Sequence, residues 1–183
     1  LDPLHPNLAA SYTRMSDIYQ EFGEFDKALE LSKKAVAIIE KTYKPSHPAV
    51  ADYYNQLARA YSDAGRYDEA LEWQLKDIEL TKQNFPGDDQ KLITPFYTMG
   101  IIYRGKKDLD KALEYHLKAL EIKSGIYEAN DLSMASSYYR LAECYRDSRQ
   151  FEEALKYLDK AIEIEIDTYG KIHHYIAEDY LLY

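Results

Sequence analysis

The chain has 183 residues, 46% of them hydrophobic, with 32 acidic against 23 basic side chains and a formal net charge of -9. That balance argues against nucleic acid and an anionic membrane as principal partners, because both are polyanions. No apolar run approaches the roughly 20 residues of a membrane helix, and the single Cys144 can form no internal disulfide, so a reducing, cytoplasmic setting is expected.

Taken in chain order, helix starts are predicted at His5-Pro6, His47-Pro48, Asp89, Asp131 and His173, each 42 residues after the last. Asp is a good N-cap, and Pro at the first helical position loses no hydrogen bond. The first helix of each unit then carries a stripe at i, i+3, i+4 and i+7. The stripe reads Tyr12, Met15, Ser16, Tyr19; Tyr54, Leu57, Ala58, Tyr61; Phe96, Met99, Gly100, Tyr103; and Tyr138, Leu141, Ala142, Tyr145. Large and small residues alternate, which lets neighbouring helices approach closely.

Gly23 and Gly65 close the first helix in two units, where a left-handed residue commonly ends a helix. Lys107 and Arg149 hold that place in the other two, at a cost of roughly 1 kcal/mol each if the backbone is left-handed there. A second helix follows, with Ala28, Leu29, Ala35 and Ile38 in the first unit, Ala112, Leu113, Ala119 and Ile122 in the third, and Ala154, Leu155, Ala161 and Ile164 in the fourth. Its outer side is charged. Short connections at Lys44-Pro45-Ser46, Pro86-Gly87-Asp88, Ala129-Asn130 and Gly170-Lys171-Ile172 require antiparallel neighbours. The expected architecture is all-α, one array of units 5–46, 47–88, 89–130 and 131–172, with a partial fifth helix over 173–183 packed on the fourth unit. From a start at Leu1 and a stop inside a further copy, the chain is expected to be a piece of a longer protein.

Phe96-x2-Met99-Gly100-x2-Tyr103 followed by Ala112-x3-His116, and Tyr54-x2-Leu57-Ala58-x2-Tyr61 followed by Ala70, resemble the tetratricopeptide repeat, a helix-turn-helix unit of pattern W-x2-L-G-x2-Y, then A-x3-F, then P. The 42-residue period and His47-Pro48 are similar to the long subclass typified by kinesin light chain. The resemblance implies an α-solenoid, a right-handed superhelix whose first helices line a concave groove, and a non-catalytic scaffold that holds a peptide or helix of a partner protein there. Some positions depart from the pattern. The family Pro is replaced by Glu40 and its equivalents, so longer second helices are expected, and Ser32, Gln74 and His116 replace the second-helix aromatic. Asp77 stands where Ala35, Ala119 and Ala161 stand. It is expected to be satisfied by a tyrosine hydroxyl or a backbone group of the adjacent unit; the alternative is a local weakness that lets the array flex.

By helical spacing the groove face carries Asn55, Arg59, Tyr97, Arg104, Tyr139 and Arg146 as candidate partner-binding residues. Guanidinium forks, an amide and phenol rings suit a peptide with acidic and apolar side chains. The plainer reading pairs the arginines with Asp63, Glu143 and Asp147. No nucleophile, phosphate-loop or paired-Cys motif is present, so no catalytic residue and no cofactor are expected. His174 and Glu178, spaced i, i+4, lack a third metal ligand, and Cys144 lies beside core positions. Two further functions compete: a sensory or regulatory segment of a larger signalling protein or enzyme, and self-association through Tyr180, Leu181, Leu182 and Tyr183.

Overall fold

The structure, a computed structural model, describes residues 5–169. The predicted fifth helix, the His174 and Glu178 pair and the Tyr180 to Tyr183 cluster lie outside the described residues. Eight α-helices form four hairpins: α1 (Pro6–Glu21) with α2 (Phe25–Thr42), α3 (Pro48–Asp63) with α4 (Tyr67–Asn84), α5 (Ile93–Gly105) with α6 (Leu109–Ser124), and α7 (Leu132–Asp147) with α8 (Phe151–Tyr169). Each second helix is longer than its partner, 18 residues against 16 in the first two units, 16 against 13 in the third and 19 against 16 in the fourth. That is the expected result of losing the proline that would stop it.

Three of the four first helices start as the caps predict. His5 Nδ1 accepts from the Asn7 amide at 3.1 Å, His47 Nδ1 from Ala49 at 3.2 Å, and Asp131 Oδ1 from Ser133 at 2.7 Å. The third departs. Asp89 opens a 3-10 turn, Asp89–Leu92, and α5 begins only at Ile93. Pro95 explains the change: it has no N–H to donate back to the carbonyl of Lys91, and its ring crowds that carbonyl, so α-helical winding cannot extend across residues 89–92.

The turns inside the hairpins are alike. Gly23 and Gly65 both have φ 73°, and Lys107 and Arg149 take the same left-handed conformation at φ 67° and 60°. The residue after each donates to the carbonyl five positions back, as in Asp108 to Tyr103 at 3.0 Å and Gln150 to Tyr145 at 2.9 Å. This closing bond is what the left-handed residue makes possible. Lys107 and Arg149 thus hold a conformation that glycine adopts without a Cβ clash.

Between hairpins, each second helix packs on the first helix that follows it. Leu29 and Val36 of α2 meet Leu57, Ala60 and Tyr61 of α3 in one core cluster, and Ile78 of α4 meets Met99 of α5 in another. Small residues set the spacing: Ala28, Ala58, Ala70 and Ala112 have no exposed surface. At Gly100 the approach is tighter still, since a Cβ there would lie 2.5 Å from the His116 ring. First helices also touch one another, α1 against α3 and α3 against α5, whereas no comparable contact joins α2 with α4 or α4 with α6 among the described residues. First helices therefore lie on the inside of the bend and second helices on the outside.

Candidate partner-binding site

The inner face of α5 and α7 and the start of α8 enclose a pocket of about 630 Å³. Its apolar side is Ala142, Phe151, Ala154, Leu155 and Leu158; its polar side is Tyr97, Ser136, Tyr139, Arg140, Glu143 and Arg146. Three of the six residues singled out by helical spacing meet here: Tyr97, Tyr139 and Arg146. The 42-residue register accounts for Tyr97 and Tyr139 standing at equivalent places on α5 and α7. The hairpin geometry brings Phe151 and Leu155 up beside them.

Each polar group has its own restraint. The Tyr97 hydroxyl accepts from Arg140 Nε, and its ring meets the His116 ring edge-on at 5.6 Å. Arg140 Nη1 also donates to Glu143 Oε2 at 2.8 Å. The Tyr139 hydroxyl donates to Glu165 Oε2 at 3.2 Å. Arg146 reaches Asp147 Oδ1 at 3.3 Å and remains half exposed. The charged lining is thus two guanidiniums against one carboxylate, an excess of positive charge on an acidic chain.

The other three candidates are placed differently. Arg104 is mostly buried and paired, with Nε to Asp147 Oδ2 at 2.7 Å and Nη1 to Glu143 Oε2 at 3.0 Å. Burial pushes the Asp147 carboxyl up, but the hydrogen bond and charge of Arg104, with those of Arg146, outweigh it and hold the group below the usual carboxylate range. Arg59 is exposed one turn before Asp63, away from the pocket. Asn55 corrects the helical-spacing expectation outright: only 8% exposed, it points into the joint between the second and third units. Its Nδ2 faces Asp77 Oδ2 at 3.1 Å, Gln74 Oε1 at 3.2 Å and Thr98 Oγ1 at 3.2 Å.

Asp77 is the centre of that joint. Gln74 Nε2 donates to it at 2.6 Å and Thr81 Oγ1 lies 3.2 Å from its other oxygen. Burial raises the carboxyl to about 6 in spite of the hydrogen bonds from Asn55, Gln74 and Thr81. Its partners are side chains of its own unit, not the tyrosine hydroxyl or backbone group of an adjacent unit that the sequence suggested. The next unit enters through Pro95, whose carbonyl accepts from Gln74 Nε2 at 3.2 Å.

Arg140 escaped the spacing argument because its position corresponds to Thr98, a buried place in the preceding unit. The available signal was the Arg140 and Glu143 pair at i, i+3. The 43-residue separation recurs: Asn55 pairs with Thr98 at the joint of the second and third units, and Tyr97 with Arg140 and Arg104 with Asp147 at the joint of the third and fourth. Behind Tyr97, His116 Nε2 is buried without a hydrogen-bond partner among the described residues. Burial holds that imidazole down at about 4, helped by the charges of Arg140 and Arg104, so it is neutral at pH 7. Cys144 is fully buried and its thiol is pushed up by burial to about 11, which makes it an inert core residue.

The profile described as tetratricopeptide repeat matches residues 2–83 and 91–167. The chain belongs to the tetratricopeptide repeat family. Its fold is similar to the nearly identical TPR-like repeats of a kinesin-light-chain-like protein from Podosopora anserina, with 24% identity and a TM-score of 0.76, covering 97% of this chain and 87% of that one. BtubC (BKLC) from P. vanneervenii is similar too, with 21% identity and a TM-score of 0.73 over 92% of this chain and 68% of that one. No curated protein sequence matches the chain. Tetratricopeptide repeats generally mediate protein–protein interaction, and the fold is typically a non-catalytic scaffold. Among the described residues no helix is long and apolar enough to cross a membrane.

Proposed function

We propose that this tetratricopeptide array is a binding module that holds a peptide or helix of a partner protein on its inner face, centred on the pocket between α5, α7 and α8. What supports the reading is the composition of that one pocket. An apolar wall of Phe151, Leu155 and Leu158 stands opposite a rim of Tyr97, Tyr139, Arg140 and Arg146. An aliphatic or aromatic side chain of the ligand fills the wall side, and a neighbouring carboxylate of the ligand meets Arg146, the arginine with the weakest internal pairing of the three. Buried aromatic and Arg contacts of this kind carry most of the energy in protein recognition. Arg104 and Arg140, already engaged by Glu143 and Asp147, position the rim and do not compete for the ligand.

A random peptide display against the protein tests this directly. Enriched peptides carry Asp or Glu within a few residues of a large apolar side chain; Arg146→Ala weakens them by about fivefold to tenfold, and Leu155→Asp by more. Selected peptides that bind both variants as well as the parent place the site elsewhere.

A further inference from the structure

The outward side of α1 is built like the inside of the molecule. Met15 is 44% exposed and Ile18 is 51% exposed. One unit later the same two positions hold Leu57 at 1% and Ala60 at 0%, then Met99 at 1% and Ile102 at 0%, then Leu141 and Cys144, both at 0%. Phe22, one turn beyond Ile18, is 74% exposed.

What covers these positions in the later units is visible at the joints. Leu57 and Ala60 are clustered with Leu29 and Val36 of the preceding second helix, and Met99 with Ile78, the counterpart of Val36. At both of these joints the covering element is a second helix with aliphatic side chains seven residues apart, Leu29 with Val36 and Leu71 with Ile78. A terminal unit of a solenoid needs a polar outer face to stay soluble, and α1 presents Met, Ile and Phe. Its start is also that of an internal helix. The His5-Pro6 cap repeats His47-Pro48 in sequence and in geometry, each His accepting from the amide two residues on. At α3 that cap receives the chain from the preceding hairpin, with the Tyr43 ring of the connection stacked on His47 at 4.3 Å.

We infer that the Met15, Ile18 and Phe22 face of α1 is a docking surface for the second helix of a further repeat hairpin of the same polypeptide, joined ahead of α1 through the His5-Pro6 cap. The inference is independent of any ligand in the α5, α7 and α8 pocket.

The test grafts an additional copy of residues 5–46 directly ahead of His5, which keeps the 42-residue register and delivers Leu29 and Val36 of the added hairpin onto α1. Hydrogen exchange of the amides around Met15 to Ile18 slows by about tenfold or more in the extended protein, as expected when a frayed end becomes an internal element. Placing Met15→Glu with Ile18→Lys in the covered α1 abolishes the gain and leaves the unextended protein folded. Unchanged exchange in α1, or an added hairpin that does not gain helical circular dichroism, overturns the inference. So does light scattering that finds the unextended protein dimeric and the double variant monomeric, because the face then belongs to a second copy.

Discussion

Asn55 on α3 donates to the Asp77 carboxylate on α4 at 3.1 Å, inside the joint that receives α5. The carboxylate is an acceptor for two amides, yet its charge is held away from water. These effects oppose each other, and two substitutions separate them. Asp77→Asn keeps an acceptor and removes the charge; Asp77→Ala removes both, leaving hydrogen-bond donors of Asn55 and Gln74 short of an acceptor. Urea unfolding at pH 7 is expected to find the Asn variant more stable than the Ala variant by about 1–3 kcal/mol. Equal stabilities would mean that the carboxylate is not the hub of the joint.

The same group makes a pH prediction with a definite sign. The folded state raises the Asp77 carboxyl from 3.8 to about 6, so between those values the folded protein holds more protons than the unfolded chain. Its contribution is therefore most favourable below about pH 4 and is lost as pH rises through 6. Carboxylates depressed by partners, such as Asp147, slope the other way, so the wild type alone is uninformative. The stability of Asp77→Asn minus that of the wild type is expected to grow from pH 4 to pH 6 and then level off. At about 1.4 kcal/mol per unit, the total is on the order of 3 kcal/mol. A flat difference over that range contradicts the burial of a charge at Asp77.

Lys107 and Arg149 hold left-handed backbone at φ 67° and 60°. Glycine removes that strain but loses more chain entropy on folding, which leaves a net gain of about 0.5–1 kcal/mol per site. Lys107→Gly and Arg149→Gly are each expected to raise the melting temperature by roughly 2–4 °C. A lowered melting temperature at either site means that the side chain contributes more than its backbone costs.

Gly100 and His116 form a matched pair. A Cβ at Gly100 meets the imidazole at 2.5 Å, so Gly100→Ala is expected to cost about 1–3 kcal/mol through overpacking. The equivalent pair in the second unit is Ala58 with Gln74, so His116→Gln added to Gly100→Ala relieves the clash. Thermal melts of both single variants and the double complete the cycle. Strict additivity would show that the two positions do not press on one another.

Much of this architecture is legible in the sequence, because a period of 42 residues compares every position with three others. The stripe of Leu57, Met99 and Leu141, the turn at Lys107 and the antiparallel hairpins all follow from that comparison. The inner face is only partly legible. Helical spacing locates Tyr97, Tyr139 and Arg146, but it cannot see that Asn55 turns inward, since that choice depends on an acceptor 22 residues away on another helix. Arg140 is missed for the converse reason: its equivalent in the preceding unit, Thr98, is buried, and from that position a long side chain reaches out to Tyr97. The start of α5 is displaced by Pro95, a local conflict that the periodic pattern of caps conceals.

The contacts between residues 43 apart bear on how such an array can be rearranged in evolution. Loss of one whole unit leaves the backbone in phase, but the polar partners change. Without residues 89–130, Arg140 would take the place of Thr98 and bring a cation against Asn55 and the buried carboxylate of Asp77. The two later joints each have their own complement: amides around an acid at Asp77, and a phenol and guanidinium at Tyr97 and Arg140. The units therefore share a shape but are not interchangeable, and their order along the chain is written into the chemistry of the seams.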